Sequence, residues 1–167
     1  MLHLSAHFVD GHYDLQTNGW RDGKSPIPFT RDFGELLGAY EFQAGSAEEF
    51  WGSVHVMIYL GIGYAAKVRP DELRRTSFVQ GLEIRTSDPL GTFFGKPWNI
   101  YLAYNFSLTG IPGYIGSKNI ESGIKLGEWS GTGIRIYLSY YNGLDVFSQY
   151  FNIRREHWGV GFTFDFW

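Results

Sequence analysis

Three residues near the start of the chain, His3, Ser5 and His7, have types and spacing that chemistry could use. Spaced by two, they share one face of an extended strand and place an imidazole beside a hydroxyl. Such a pair can act as base and nucleophile. His55 and His157 supply two further imidazoles. Strand-borne histidines can converge on a metal, but their spacing here matches no metal-binding motif. A third set is ionic: Glu41, Glu83, Arg85, Glu121, Lys125, Arg135 and Asp165. These charges either neutralise one another in a filled interior or line water and bias which solutes pass. For the histidines, an interior hydrogen-bond network is the plainer reading. The expectation is therefore a non-enzymatic protein with no catalytic residue, no metal and no cofactor.

The elements that must carry these residues are strands, because the dominant pattern has period two. Trp98, Ile100, Leu102, Tyr104 and Phe106 alternate with Asn99, Tyr101, Ala103 and Asn105. The same alternation marks Leu2 to Phe8, Leu36 to Gln43, Ser53 to Tyr64, Phe78 to Arg85, Ile120 to Leu126, Ile134 to Tyr141 and His157 to Phe166. Gln80 and Ser122 are polar interruptions of the apolar set. This predicts about eight strands of roughly 8–12 residues, the length a tilted strand needs to cross a bilayer. No segment sustains a helical period, and no run of apolar residues is long enough for a transmembrane helix.

Composition fits the same picture. Aromatic residues make up 19% of the chain, and there are 22 glycines. The polar parity carries Gly61, Gly63, Gly81, Gly123, Gly159 and Gly161 beside the charges, which suits a tight interior better than a solvated sheet face. The apolar parity carries Tyr40, Tyr64, Trp98, Phe106, Tyr140, Trp158 and Phe166 near strand ends, where aromatic girdles sit in membrane barrels. A soluble β-sandwich or ligand-binding barrel is the competing reading, since it also alternates. Net charge is −3 with scattered bases, which argues against a nucleic-acid partner. Cysteine is absent, so there is no disulfide framework.

The expected fold is all-β: one domain over residues 1–167, a transmembrane up-and-down antiparallel β-barrel of about eight strands, or part of a larger barrel. By parity the lumen is lined by Glu41, Glu83, Arg85, Tyr101, Glu121, Lys125, Arg135, Tyr137, His157 and Asp165. Glu121 is expected to pair with Arg135 or Lys125. Asp145, Arg154 and Arg155 read as solvated loop charges. The final strand is expected beside Thr132 to Tyr141 on one side and the first strand on the other. Connections are expected at residues 10–33, 44–50, 65–75, 108–117, 128–131 and 142–153. The dozen residues from Thr86 to Pro97 break the alternation of long and short connections. The N-terminus lacks a charged and continuously apolar leader, and Met1 falls inside an alternating run. It reads as a piece of a longer precursor.

Two resemblances attach to these residues. The stretch from Leu138 to Trp167 has a Tyr140-Tyr141 strand ending in Asn142-Gly143, then Gln149-Tyr150-Phe151, then a Gly159-x-Gly161 strand. It resembles the C-terminus of an uncharacterised family of bacterial outer-membrane proteins, known as a domain of unknown function. Residues 4–14 and 34–42 look similar to earlier parts of that family. The resemblance implies a C-terminal portion of a barrel, outer-membrane lipid as surroundings, recognition of the last strand by the barrel-assembly machinery, and no known activity. Separately, His3-Leu4-Ser5 resembles the His-x-Ser of outer-membrane lipid A deacylases, which implies a lipid-modifying hydrolase as the alternative. Ala6 stands where that family has Asn, and the parity of Leu2, Leu4 and Phe8 turns the pair inward rather than toward lipid.

Overall fold

The computed structural model describes residues 2–7, 13–14, 19–20, 29–45, 53–69, 71–86, 90–111, 113–145 and 153–166, with side chains described from residue 31 onward except 111. Its elements are β1 (Leu2–His7), β2 (Tyr13–Asp14), β3 (Gly19–Trp20), β4 (Phe29–Ala44), β5 (Val54–Arg69), β6 (Thr76–Thr86), β7 (Gly91–Phe93), β8 (Lys96–Ile111), β9 (Gly113–Gly127), β10 (Gly133–Leu144) and β11 (Arg154–Asp165). Nine of them form one antiparallel sheet, eight in the order β1-β4-β5-β6-β8-β9-β10-β11 and β7 paired to β8 beside them. Among the described residues there is no helix.

Facing follows from period two. Tyr40, Ile58, Leu82, Tyr104, Ile120, Tyr140 and Trp158 are register partners on seven successive strands and form one apolar row on one face. Much of that face is open: Leu60, Ile62, Ile136, Leu138, Val160 and Phe162 are all exposed. Gln80 and Ser122 point out with them. The opposite face is the packed one. Tyr101 and Lys125 there are 2% and 1% exposed. The sheet curls toward this face, since Leu144 of β10 packs on the core of Ala65, Val68 and Leu73 with three strands lying between β10 and β5. A bulge at Ala66, where the partners change from Asp32↔Lys67 to Phe33↔Ala65, adds local twist and brings both Ala65 and Val68 inward.

The curl does not close the sheet. Among the described residues β1 and β11 are its two ends and do not pair with each other. β1 reaches only as far as Gly34 on β4, so among the described residues no strand pairs with residues 35–44 of β4 on that side. That is why Leu37 and Glu41, on the inner face, are nevertheless exposed.

Strands run longer than the alternation alone indicates, and several expected connections are hairpin arms. β4, β5 and β8 each have 16 residues. Within the stretch 108–117, Leu108 to Ile111 pair with Gly113 to Gly116, ending in Gly110↔Tyr114 and Ile111↔Gly113. Thr86 to Pro97 contains a small hairpin in which Gly91 and Phe93 pair with Trp98 and Lys96. Its two turn residues, Phe94 and Gly95, have φ of 50° and 71°. Both values are left-handed, as a type I′ turn requires. Period-two reading misses this hairpin because its arms are only three residues long.

Candidate functional site

The inner face is organised in register rows. One row reads Glu41, Met57, Glu83, Ala103, Glu121, Ser139, Gly159 from β4 to β11. The next toward the C-terminal end reads Gln43, His55, Arg85, Tyr101, Gly123, Tyr137, Gly161. A third holds Asn99, Lys125, Arg135 and Thr163. An acidic row therefore lies beside rows that carry the cations, a consequence of placing opposite charges two residues apart on the same strand parity.

Large rings meet glycines across these rows. A Cβ added at Gly81 would fall 2.1 Å from Tyr59 Cζ, and one at Gly161 2.5 Å from Tyr137 Cζ. The inner glycines are thus the floor on which neighbouring tyrosines lie. Gly123 is less forgiving, because its Cβ would sit 2.3 Å from the carbonyl oxygen of Ile136, which is backbone and cannot swing aside. Gly123→Ala is expected to lower stability by about 1–3 kcal/mol through overpacking. Gly34→Ala, where nothing lies within 4 Å, should be nearly neutral. Urea unfolding followed by tryptophan fluorescence compares the two. Equal midpoints for both variants would refute the packing account.

The ion pairs differ from the simplest pairing of neighbours. Lys125 and Arg135 are directly opposite one another, an arrangement that repels. Asp165 resolves it by accepting from both, 2.6 Å from Lys125 Nζ and 3.2 Å from Arg135 Nε. Glu121, expected to meet one of these cations, instead accepts from the Tyr101 hydroxyl at 2.6 Å. Arg85 donates to Glu41 at 2.9 Å, reaching across β5, and His55 Nδ1 lies 3.2 Å from the same carboxylate oxygen. Glu83 has Arg85 of its own strand at 3.9 Å. Tyr137 lies over Gly161, and His157 stands on the exposed edge strand with its ring 5.2 Å from that of Tyr141. Asp145 is a correction to the solvated reading: its side chain is only 6% exposed and accepts from Arg155 at 2.8 Å.

The residue that sequence periodicity passes over is Trp129. It sits in the turn from Glu128 to Gly131, closed by a 3.1 Å bond from Gly131 N to Glu128 O. Its ring folds onto the inner face, with Arg85, Arg135 and Lys125 at 5.0, 5.1 and 5.7 Å from the ring and Tyr101 edge-on at 5.6 Å. Lys125 Nζ also holds the turn itself, donating to Trp129 O at 2.7 Å and Gly131 O at 3.2 Å. A tryptophan in a four-residue turn is a signal in itself, since so much apolar area in a turn wants a surface to cover. Together these groups cover the inner face at the end where the chain finishes.

No protein-family model, curated protein or solved structure matches this chain. The residues themselves therefore carry the assignment. Of the nucleophile candidates, the backbones of His3 and Ser5 lie in β1 opposite Phe33 and Arg31. Their side chains, and that of His7, lie outside the described ones. His55 and His157 are on β5 and β11, with four strands between them in the sheet order. Among the described residues no three His, Asp or Glu side chains are grouped as a metal would need, and no helix is long and apolar enough to cross a membrane.

Proposed function

We propose that this chain forms a non-enzymatic β-barrel of the bacterial outer membrane, with an envelope-structural role and an interior filled at its C-terminal end. The carrying observation is the apolar row from Tyr40 to Trp158, repeated above and below by other exposed apolar side chains, set against an inner face of paired charges. Soluble monomers rarely leave an apolar surface of this extent open, whereas lipid-facing strands must. Trp158 in β11 and Phe166 just after it are exposed aromatics that fit the same setting and the same last-strand recognition by an assembly machinery.

Lipid offers no hydrogen bonds to an open strand edge. On this reading the free edges of β1, β4 and β11 are paired in the membrane, with one another or with further strands. Solute passage, the porin-like version of this role, is disfavoured by the Trp129 cluster, which occupies the space a pore would need.

The test is heat-modifiable migration. The full chain, folded into detergent or lipid, should run faster unboiled than boiled on a denaturing gel. Recovery of a folded chain that stays monomeric in plain buffer, with one mobility before and after boiling, would overturn the membrane assignment.

A further inference from the structure

The end of the inner face away from Trp129 holds a cavity of 240 Å³. Liquid water occupies about 30 Å³ per molecule, so this is room for about eight waters or one small solute. Its lining is mixed: three cationic residues, Arg31, Arg74 and Lys118, stand with Ser107, Thr109 and Asn119, and Leu73 and Leu144 add apolar surface. Among the described residues at its wall the acid is Asp145, which accepts from Arg155. Below it, a 2.8 Å bond from Asn105 to the Tyr59 hydroxyl ties β8 to β5, and the acidic row and the Trp129 cluster lie beyond. The cavity is therefore a cup with a floor.

We infer that this cup binds a small hydroxylated oxyanion, a sugar acid or a sugar phosphate. Arg31 and Arg74 have contacts within the protein already. A guanidinium carries five donors in a planar fork, however, and can add a carboxylate or phosphate to an existing contact. Among the described residues no side-chain hydrogen bond engages Ser107, Thr109 or Asn119, so these groups face the cavity with capacity for the hydroxyls of a ligand. Side chains that alternate along β8 and β9 present them at successive heights on one wall. The inference concerns the cavity of the fold and does not depend on the membrane assignment.

Calorimetric titration of the full chain, in whichever medium keeps it folded, tests this with four probes: glucose 6-phosphate, glucuronate, glucose and inorganic phosphate. At least one of the two sugar anions should bind, and the one that binds more tightly identifies the oxyanion. Glucose and inorganic phosphate, each lacking half of the contacts, should bind at least about tenfold more weakly. Arg74→Gln, an exposed position, should weaken the sugar anion by about tenfold or more. Ser107→Leu, which fills the cup, should abolish binding. Both variants should retain the gel migration of the parent, so a lost heat shift and a lost titration report on different claims. No binding of any probe at millimolar concentration overturns the inference. So does glucose binding equal to that of the anions, or parental affinity in both variants.

Discussion

Lys125→Met is expected to destabilise the protein by about 3 kcal/mol, within the range for breaking a buried charge pair. Lys125 is 1% exposed, and its three ammonium protons have three acceptors: Asp165 and the carbonyls of Trp129 and Gly131. Met fills nearly the same space but supplies no donor. Two turn carbonyls then lose their partner, and Asp165 keeps only Arg135. The side chain of Asp165 is 21% exposed, so some of that loss is recovered by water. Because the two residues share one interaction, the double variant Lys125→Met, Asp165→Asn should cost less than the sum of the singles, by about 1–3 kcal/mol. Urea unfolding of the three variants measures this. A Lys125→Met midpoint indistinguishable from that of the parent would mean that the lysine does not hold the turn.

On the proposed outer-membrane reading, Trp129→Ala is expected to turn a non-conducting protein into a conducting one. In planar bilayers the parent should pass almost no current. The indole stands among Arg85, Arg135 and Lys125, so its loss removes the covering ring and leaves three cations facing one another across the space it filled. Cation–π contacts contribute about 0.5–2 kcal/mol each, and a large-to-small change adds a cavity, so a stability loss of about 2–4 kcal/mol should accompany the conductance. The exposed ring of cations should favour anions as carriers. Trp129→Phe, which keeps a ring, should remain closed. Sizeable current from the parent itself, rising in proportion to salt, would show that Trp129 does not seal the interior and would restore a porin-like role.

The strands and their facing are legible in the residues because unlike surroundings on the two faces impose a period of two, and a slip of one residue would exchange the apolar and charged sets between the faces. Trp98 to Phe106 can be read only one way. Strand ends are less legible. Gly110 and Gly113 look like loop residues, yet they continue the β8–β9 ladder, because the backbone bonds of a hairpin do not require apolar side chains. The Phe94-Gly95 turn is hidden for another reason. A non-glycine residue at positive φ is an uncommon choice, and nothing local announces it.

The inner face divides along the same line. Membership of Glu41, Glu83, Arg85, Glu121, Lys125, Arg135 and Asp165 in one parity is a property of the chain. Who pairs with whom is not, because partners are set by register and by reach across intervening strands. Glu121 meets Tyr101 rather than a base, since Asp165 bridges the two cations that face each other. Trp129 shows the point most plainly. Its turn is local, but the surface its ring covers exists only once β6, β8, β9 and β10 curl together. Alternation by itself determined that this protein would be a two-faced sheet, apolar on one side and charged on the other. Only the tertiary structure decided that the sheet curls without pairing its ends among the described residues, that a turn fills one end, and that a cup lined by cations and hydroxyls remains at the other. Those outcomes depend on contacts between strands distant in sequence, which no local pattern encodes.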